Sequence, residues 1–599
     1  MSLAGIEGAV NALALAEPHH DGSDLYVLDR PDEAGGTAVM RLRAPRGAAE
    51  QVWLRFVDDG EPRTAEAVVD EESNGETWWR AELPVPNPAM RYRWLVDGGS
   101  AGYRWVNGVG LHAHEVAGAD DFVLALDPGA PAWHARSVVY EIFPDRFATT
   151  GVAATAQRPD WAVPREWDRL PDGRSRNTSR ELYGGDLPGI EQHLDHIEEL
   201  GANVLYLTPF FPARSTHRYD ATSFDRVDPL LGGDEALASL IAAAHGRGMH
   251  IVGDLTLNHC GAGHEWFLRA EQDPSALERD LFFFDGSPPL GYACWLDVRS
   301  LPTLNWSSPE LRRRMERVLR RWLDEGLDGW RIDVANMVGR HRLLDVNHEV
   351  AAWARGLVGE GLLVAEHGHD YRPDLDGRGW HGVMNYAGFL RPTWWWLHGG
   401  TLEKDVFSNA PAPAYAGPEA VGAMRAFRAG VSWDAVANSW TLLDSHDTAR
   451  FRTVAASRAR HVVGIGLQMT TPGVPMLFAG DELGLEGEWG EDARRTMPWS
   501  RPESWDTDLL GTYRALIALR RSSDALAYGG LRYVHVAHDA IAYVRESRDE
   551  RLLCLAARAP HDPISVPSTE LETLYGEDAR NGVLPADGPA FHVWRMSNG

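Results

Sequence analysis

The hydrophobic pattern divides the chain into parts with different periods. Residues 1–130 contain short runs rich in β-branched and aromatic residues, such as VWLRFVD and MRYRWLVDGG, separated by turn signals. From about residue 137, apolar strand-like runs alternate with amphipathic helical stretches that often end in glycine. Eight strand-like segments can be counted in this second part. Repeated β-α units of this kind predict a parallel sheet closed into a (β/α)₈ barrel.

This pattern predicts an α/β protein with three domains. We expect an N-terminal β-sandwich over 1–130, a catalytic (β/α)₈ TIM barrel over 131–523 and a C-terminal β-sandwich over 524–599. The stretch 259–306 lacks clear periodicity, so we expect an inserted B domain after the third barrel strand. The Pro/Gly-rich DPGAPAW at 127–133 is typical of a linker.

Composition narrows the possible partners. The chain has 58 basic and 86 acidic residues, a formal charge of −28, which disfavours nucleic acid and anionic membranes as partners. Its three cysteines form no disulfide framework, and neither a secretory signal nor a membrane-spanning run is evident, so we expect a cytoplasmic protein. The 24 tryptophans fit core packing or stacking platforms for sugars, and both interpretations stay open.

Polar side chains gather where the predicted barrel strands end, which is where barrel enzymes carry their active sites. Any one of them alone is more often a cap or a turn residue, and Asp481 and Glu482 fit such a cap well. Five coincident strand ends favour an active site instead. In strand order, these residues are Asp254, Asn258 and His259; Arg331 and Asp333; Glu366 and His367; Ser445, His446 and Asp447; and Asp481 and Glu482.

Two of these carboxyl groups suit glycoside hydrolysis. Retaining enzymes need a nucleophile and an acid/base about 5–5.5 Å apart, and Asp333 and Glu366 end adjacent predicted strands, which lie about 4.8 Å apart. Arg331 lies two residues before Asp333 and thus on the same face, where its charge is expected to lower the pKa of Asp333. Glu366 must hold a proton, so we expect its pKa to be raised. We therefore predict Asp333 as nucleophile and Glu366 as acid/base.

Several motifs resemble one known family. DLTLNH (254–259), GWRIDVAN (329–336), VAEHGHD (364–370) and LLDSHDTAR (442–450) resemble the four signature regions of the α-amylase family, glycoside hydrolase family 13. LPTLN resembles its additional conserved region, and the resemblance runs in order over about 135–523. The N-terminal β domain and SHDT, in place of the commoner NHDT, resemble the neopullulanase, cyclomaltodextrinase and maltogenic amylase group.

The resemblance implies roles for individual residues. Asp333 and Glu366 match the nucleophile and the acid/base, and Asp447 matches a third acid that grips sugar hydroxyls. The resemblance also implies substrate-binding or supporting roles for Tyr219, which stacks under the sugar at subsite −1, for His259 and His446, which bond that sugar, for Arg331, which orients the nucleophile, and for Asp254 and Arg450.

The chain departs from the family pattern at three places. Met337 stands where the subgroup usually has a glutamate near subsite +1, and AEHGHD replaces the commoner GEIWH, so His367 borders that subsite differently. Relatives often carry a calcium loop after Phe147, but ATTGVAATAQRP lacks the oxygen ligands that calcium needs, although Asp186 remains. We therefore expect no cofactor and an empty calcium site.

The subgroup implies a substrate and an assembly. We expect hydrolysis of linear, cyclic or branched α-1,4-linked glucans, including α-1,6 linkages; cyclic maltosyl-maltose is one candidate. A homodimer is also expected. Alternatives are a transglycosylase or an isomerase on the same scaffold (forming trehalose or glucans), a metal hydrolase using the His and Cys residues of HGHD and HCGAGH, and a binding protein without catalysis. The intact acids disfavour the last, and spacing disfavours the metal site.

Overall fold

The centre of the protein is a closed barrel of eight parallel strands. The computed structural model describes residues 13–126, 129–175, 177–286, 291–398, 400, 402–405, 410–566 and 571–597. Each barrel strand pairs with the next along the chain, and the eighth pairs with the first, which confirms the predicted barrel. In order, the strands are Val139–Ile142, Val204–Leu207, His250–Thr256, Gly329–Asp333, Leu362–His367, Gly382–Asn385, Trp440–Leu442 and Val474–Phe478.

The helices between the strands follow the apolar periodicity of the sequence. In Pro309–Asp324, the hydroxyl of Ser308 accepts the N–H of Leu311, which caps the first turn. Its buried residues recur at helical spacing and face the barrel: Leu311, Met315, Val318, Leu319 and Trp322. The other main helices are Leu187–Gln192, Leu194–Leu200, Gly233–His245, Asn347–Val358, Arg391–Leu397, Gly417–Arg428, Trp433–Asn438, Phe451–Ala455, Arg458–Thr470 and Thr507–Ser522.

One predicted helix is interrupted. The stretch GIEQHLDHIEELG forms two short helices with a break at His193, whose backbone leaves the helical region. The ring of His193 bonds the carbonyl of Gly189 and packs 4.3 Å from the ring of Trp499. Among the described residues, no helix combines the length and the apolar character needed to cross a lipid bilayer.

Two antiparallel sheets form the N-terminal part and share one apolar core. That core combines Met40 and Leu42 of one sheet with Leu54 and Trp94 of the other. The alternation of buried and exposed positions along these strands explains the shared core. The strands are Val27–Leu28, Gly36–Pro45, Val68–Ser73 and Glu76–Val85 in the first sheet, and Gln51–Asp58, Glu61–Glu66, Ala89–Asp97, Tyr103–Asn107, Gly110–His112 and Phe122–Ala125 in the second.

The segment between the third strand and its helix is irregular, as its lack of periodicity indicates. It contains the helix Glu265–Gln272 and is tied back to the barrel end by an isolated bridge between His259 and Thr303. The linker predicted at 127–133 falls partly outside the described residues, since 127 and 128 are not among them.

The C-terminal part is antiparallel β structure, as predicted. The described residues form one five-stranded sheet, so the second layer of the expected sandwich stays a prediction. Arg545 links this sheet to the barrel, because its buried guanidinium donates to the carbonyl of Thr470 in a barrel helix as well as to those of Leu526, Gly529 and Gly530. The strands are Gly530–Val536, Ala540–Glu546, Arg551–Ala557, Leu571–Tyr575 and Ala590–Met596.

Replacing Arg545 should loosen this contact between sheet and barrel. Arg545→Met keeps the length of the side chain but removes its N–H donors, and we expect the free energy of unfolding to fall by about 3 kcal/mol. Urea unfolding followed by tryptophan fluorescence measures the change. Arg548→Met is the matched control, because Arg548 is exposed in a turn of the same sheet. Equal unfolding midpoints for the two variants would contradict the role of Arg545.

Candidate active site

A buried arginine lies at the centre of the barrel's carboxyl end. Arg331, on the fourth strand, is fully buried, and its Nη1 donates to Asp254 and Asp333, each at 3.0 Å. Its Nη2 lies 3.2 Å from Oε2 of Glu366 on the fifth strand. The side chains at three neighbouring strand ends are thus joined through one guanidinium. The structure brings together the three carboxyl groups that the sequence placed at these ends.

Asp333 and Glu366 face each other across adjacent strands. Their strands pair in register, with Ile332 opposite Ala365, so the next two side chains are neighbours. Burial, first, and the negative charge of Glu366, second, raise the pKa of Asp333 well above its usual value, although Arg331 lowers it. The expectation that Arg331 would leave Asp333 with a low pKa is therefore wrong for the free protein.

Glu366 is held by one of its two oxygens. The backbone N–H of Val334 donates to Oε2 at 2.7 Å, and Arg331 contacts the same atom. Val334 directly follows Asp333 and has a φ of 38°, a conformation that a β-branched residue rarely adopts. Oε2 thus accepts from Val334 and lies against Arg331, whereas no described residue forms a hydrogen bond with Oε1.

Asp447 belongs to a second charged cluster beside this pair. Nε2 of His446 lies 3.0 Å from its carboxylate, Arg494 donates to it at 2.7 Å, and Nδ1 of His446 contacts Glu141. Burial lowers the pKa of His446, but Asp447 and Glu141 outweigh it and raise that pKa to about 10. Burial likewise opposes, but does not prevent, a pKa of Asp447 far below its usual value. His446 is therefore an imidazolium between two carboxylates.

Two tyrosines bond Asp254, and one of them also connects the two clusters. The hydroxyls of Tyr219 and Tyr206 donate to Asp254 at 2.8 and 2.6 Å. The hydroxyl of Tyr219 also accepts from Nε2 of His446 at 2.8 Å, and the two rings stack with an interplanar angle of 12°. Asp254 is fully buried, so it supports the site from below.

His259 presents a free ring nitrogen to the site. Its Nδ1 accepts from the amide of Asn258 at 3.2 Å, while its Nε2 is buried without a hydrogen-bond partner among the described residues and lies 3.8 Å from Asp333. Burial lowers the pKa of His259 to about 3, so the ring is neutral. A buried N–H without a partner is costly, and a substrate hydroxyl could satisfy it.

The remaining predicted residues lie farther from the carboxyl pair. Arg450 is buried and donates to Asp481 and to the carbonyls of Phe478, Ala479 and Ala493, which makes it a structural residue. His367 is fully buried, with Nε2 3.0 Å from Asp374. Met337 is half-buried in the turn after the fourth strand. Asp481 pairs with Arg450, which agrees with its interpretation as a structural residue.

The residues of the predicted calcium position do not suit a cation. Oδ1 of Asp186 accepts the N–H of Gly189 at 2.7 Å, which caps a helix. Oδ2 accepts from the backbone N–H of Thr150 at 2.8 Å, from its hydroxyl at 3.0 Å and from the N–H of Val152 at 3.3 Å. These donors direct hydrogen atoms at the oxygens that calcium would need. Within the described residues, no group of three or more His, Cys, Asp or Glu is placed to hold a metal.

Two charged residues of the site escaped the sequence analysis. Glu141, which contacts His446, is the one charged residue inside the apolar strand run VVYEIF, and a buried acid in such a run is a usable signal. Arg494, which contacts Asp447, lies in a loop without periodicity, and no local signal singles it out.

Comparison with known proteins finds a family model and relatives that match this chain. The family model described as the α-amylase catalytic domain matches residues 141–354. Neopullulanase 2 of Thermoactinomyces vulgaris is 29% identical over 540 residues, which is 86% of each chain. The intracellular maltogenic amylase of Bacillus subtilis is 28% identical over 561 residues, which is 89% of each chain.

A solved structure extends this similarity. The ligand-free cyclic α-maltosyl-(1→6)-maltose hydrolase of Arthrobacter globiformis is 32% identical and superposes with a TM-score of 0.65. The alignment covers 78% of this chain and 100% of the other. The span matched by the family model contains Tyr219, Asp254, His259, Arg331 and Asp333.

The raised pKa of His446 should make its contribution to stability depend on pH. A histidine with a folded pKa of about 10 and an unfolded value near 6.5 stabilises fully below pH 6.5. Its contribution falls as pH rises, by about 1.4 kcal/mol per unit at most. We therefore expect the difference in unfolding free energy between wild type and His446→Asn to shrink from pH 6.5 to 10.

His461→Asn is the matched control for this experiment. His461 is also buried, but burial lowers its pKa to about 3, so it is neutral throughout this range. The difference between wild type and this variant should stay constant from pH 7 to 10. Parallel curves for the two variants would show that His446 is not charged in the folded protein.

Proposed function

This chain belongs to the α-amylase family of glycoside hydrolases, and we propose that it hydrolyses α-glucosidic bonds of maltooligosaccharides with retention of configuration. The observation that carries the proposal is the pairing of Asp333 and Glu366 through Arg331 at adjacent strand ends. Two carboxyl groups that face each other in this way can supply the nucleophile and the acid/base that double displacement requires.

In the first step, Glu366 acts as acid and Asp333 as nucleophile. Oε1 of Glu366 gives its proton to the glycosidic oxygen while a carboxylate oxygen of Asp333 attacks the anomeric carbon. The bond between that carbon and the leaving oxygen breaks, and a covalent glucosyl ester forms. The contacts of Val334 and Arg331 with Oε2 support this assignment, because they leave Oε1 to carry the proton.

In the second step, Glu366 acts as base. Its carboxylate takes a proton from water, the water oxygen attacks the anomeric carbon, and Asp333 leaves as a carboxylate held by Arg331. Two inversions at one carbon retain the α configuration. Arg331 can stabilise the leaving carboxylate without moving, because its guanidinium is already positioned by Asp254.

The second cluster binds the sugar that reacts. Asp447 and His446 are positioned by Arg494 and Glu141, and they offer acceptors and donors to sugar hydroxyls. The free Nε2 of His259 is available to another hydroxyl, and Tyr219 offers an aromatic face. Prior positioning of these groups lowers the cost of ordering them in the transition state.

The substrate is an α-1,4-linked glucan, linear, cyclic or branched, and includes α-1,6 linkages. Relatives named for pullulan and for a cyclic maltosyl-maltose support this range. A transglycosylase or isomerase would use the same carboxyl groups, but the relatives reported above are named as a neopullulanase, an amylase and a hydrolase, which favours hydrolysis.

The proposal also covers the location of the enzyme, its assembly and its calcium dependence. We infer a cytoplasmic location, supported by the relative that is named intracellular. We also infer a homodimer and a two-layered C-terminal β domain, both supported by the subgroup resemblance. We propose that the enzyme needs no calcium at the loop after Phe147, because Asp186 fastens that loop through hydrogen bonds.

Replacing the nucleophile tests the mechanism. Asp333→Asn should lower kcat on maltotetraose by about 10⁴-fold, because an amide cannot form the ester, while calorimetry still detects substrate binding. Asp508→Asn, an exposed acid on a helix, is the control and should keep activity. Proton NMR of the wild-type reaction should show the α anomer first. Initial release of the β anomer would rule out double displacement.

Removing the Asp186 carboxylate tests the calcium proposal. Asp186→Ala should reduce the free energy of unfolding by about 2 kcal/mol, because the carboxylate caps a helix and holds the loop. For the wild type, the thermal midpoint should be the same with excess calcium and with chelator. A midpoint that rises with calcium in the wild type, and not in Asp186→Ala, would show that this carboxylate does bind the ion.

A further inference from the structure

A small cavity lies where the three parts of the protein meet. The N-terminal segment 17–22 and the turn 106–110 line one side of it. Arg425 and residues 428–431, at the end of helix Gly417–Arg428 and just after it, line a second side. The first strand of the C-terminal sheet lines the third. None of the residues of the candidate active site borders this cavity, so the proposed hydrolysis gives it no role.

Two arginines of the helix border the cavity together. Arg425 and Arg428 are three residues apart and therefore lie on the same face of the helix. Their guanidinium carbons lie 5.1 and 5.6 Å from the centre of the Tyr533 ring, which belongs to the C-terminal sheet. Both arginines are half-buried. Among the described residues, neither guanidinium forms a salt bridge with a carboxylate or a hydrogen bond.

The acids that border the cavity do not neutralise these two charges. Oδ1 of Asp21 accepts the N–H of Ser23 at 2.9 Å, and Oδ2 accepts the N–H of Leu531 at 2.8 Å. Nε2 of His19 lies 3.9 Å from the same Oδ2. Glu17, the other acid on the wall, is exposed to solvent. The carboxylate of Asp21 is thus engaged in joining the N-terminal segment to the C-terminal sheet.

Arg545 adds a third positive charge near the cavity. Its buried guanidinium donates to backbone carbonyls, which carry no net charge. Burial, which is the largest effect, and repulsion by Arg428 lower the pKa of Arg545 to about 10. The junction of the three parts therefore carries an excess of positive charge. An anion bound in the cavity would offset this excess.

The size of the cavity limits what it can hold. Its volume is about 90 Å³, and a single water needs about 10–15 Å³ of such volume. A group of about six heavy atoms therefore fits, which is the size of a phosphate and smaller than a glucosyl unit. Guanidinium groups suit phosphate oxygens because they stay charged and offer N–H donors in pairs.

We propose that this cavity is a binding site for a doubly charged oxyanion, either free phosphate or the phosphoryl group of a small phosphate monoester, and that Arg425 and Arg428 bind it. Two guanidinium groups match the charge of nearly −2 that a phosphate monoester carries at neutral pH. The bound anion connects the barrel helix with the C-terminal sheet and the N-terminal segment, so it stabilises the junction of all three. The inference does not depend on the proposed hydrolysis.

Titration of the wild-type protein with sodium phosphate tests the site directly. At pH 7.5, with ionic strength held constant by sodium chloride, calorimetry should show one phosphate bound per chain. A ligand that binds only the folded state stabilises it, so the thermal midpoint should rise by about 1–3 °C for each ten-fold increase in phosphate above Kd. Acetate, which carries one charge, should have little effect.

A second arm distinguishes the two sources of the anion. Glycerol 3-phosphate carries the phosphoryl group on a small neutral carrier, and glycerol is its uncharged counterpart. Binding of glycerol 3-phosphate with an affinity like that of phosphate supports a monoester as the ligand. Binding of phosphate alone supports the free ion. Glycerol should not bind in either case, because it lacks the charge that the arginines recognise.

Substitution of the arginines tests the location. The double variant Arg425→Gln, Arg428→Gln should weaken phosphate binding at least ten-fold, because hydrogen bonds to charged groups are lost. The matched control is Arg317→Gln, Arg320→Gln, which removes two exposed arginines at the same spacing from another helix and should keep the affinity. Circular dichroism shows whether each variant folds. If the glutamine variant does not fold, then Arg425→Lys, Arg428→Lys decides, since it keeps the charge, loses the paired donors and should bind phosphate more weakly.

Three results would overturn the proposal. The first is a wild-type protein that binds no phosphate, or that sodium chloride alone stabilises equally. The second is unchanged affinity in the folded variants of Arg425 and Arg428, which would place the anion elsewhere. The third is an equal loss of affinity in the control at Arg317 and Arg320, which would show a general effect of net charge.

Discussion

The active site depends on one buried guanidinium. Removing an arginine from water costs several kcal/mol, and only carboxylates in direct contact can offset that cost. Arg331 meets this condition with Asp254, Asp333 and Glu366. One cation thus faces three carboxyl groups, and the positions of all three depend on it.

A second group of charged residues lies beside the first. His446 is held as an imidazolium by Glu141 and Asp447, and Arg494 adds a further positive charge. Tyr219 connects this cluster to Asp254 by hydrogen bonds, so the two halves of the site are coupled. Hydrogen bonds that connect charged groups in this way restrict their movement, which favours groups that must meet a transition state without rearrangement.

The backbone also contributes a direct contact to the active site. Val334 adopts a left-handed conformation that costs about 1–3 kcal/mol, and this conformation accompanies an N–H directed at Glu366. The amide of Asn347 donates to the carbonyls of Ala335 and Val338 and so holds the turn that follows. Strain beside Asp333 is thus maintained by hydrogen bonds from the first residue of the next helix.

The sequence alone determined the barrel and most of its reactive end. Apolar strand runs and the polar residues that terminate them are local signals, and they suffice to place Asp333, Glu366 and Asp447 at one rim; the catalytic roles of these acids stay proposals. What the sequence could not determine depends on contacts between distant residues. Glu141 contacts His446, which lies 305 positions away in the sequence. Asp374 contacts both Arg340 and His367. Only the tertiary structure decided whether the pKa of Asp333 is raised or lowered. The burial of this side chain and the facing carboxyl group of Glu366 exist only after folding.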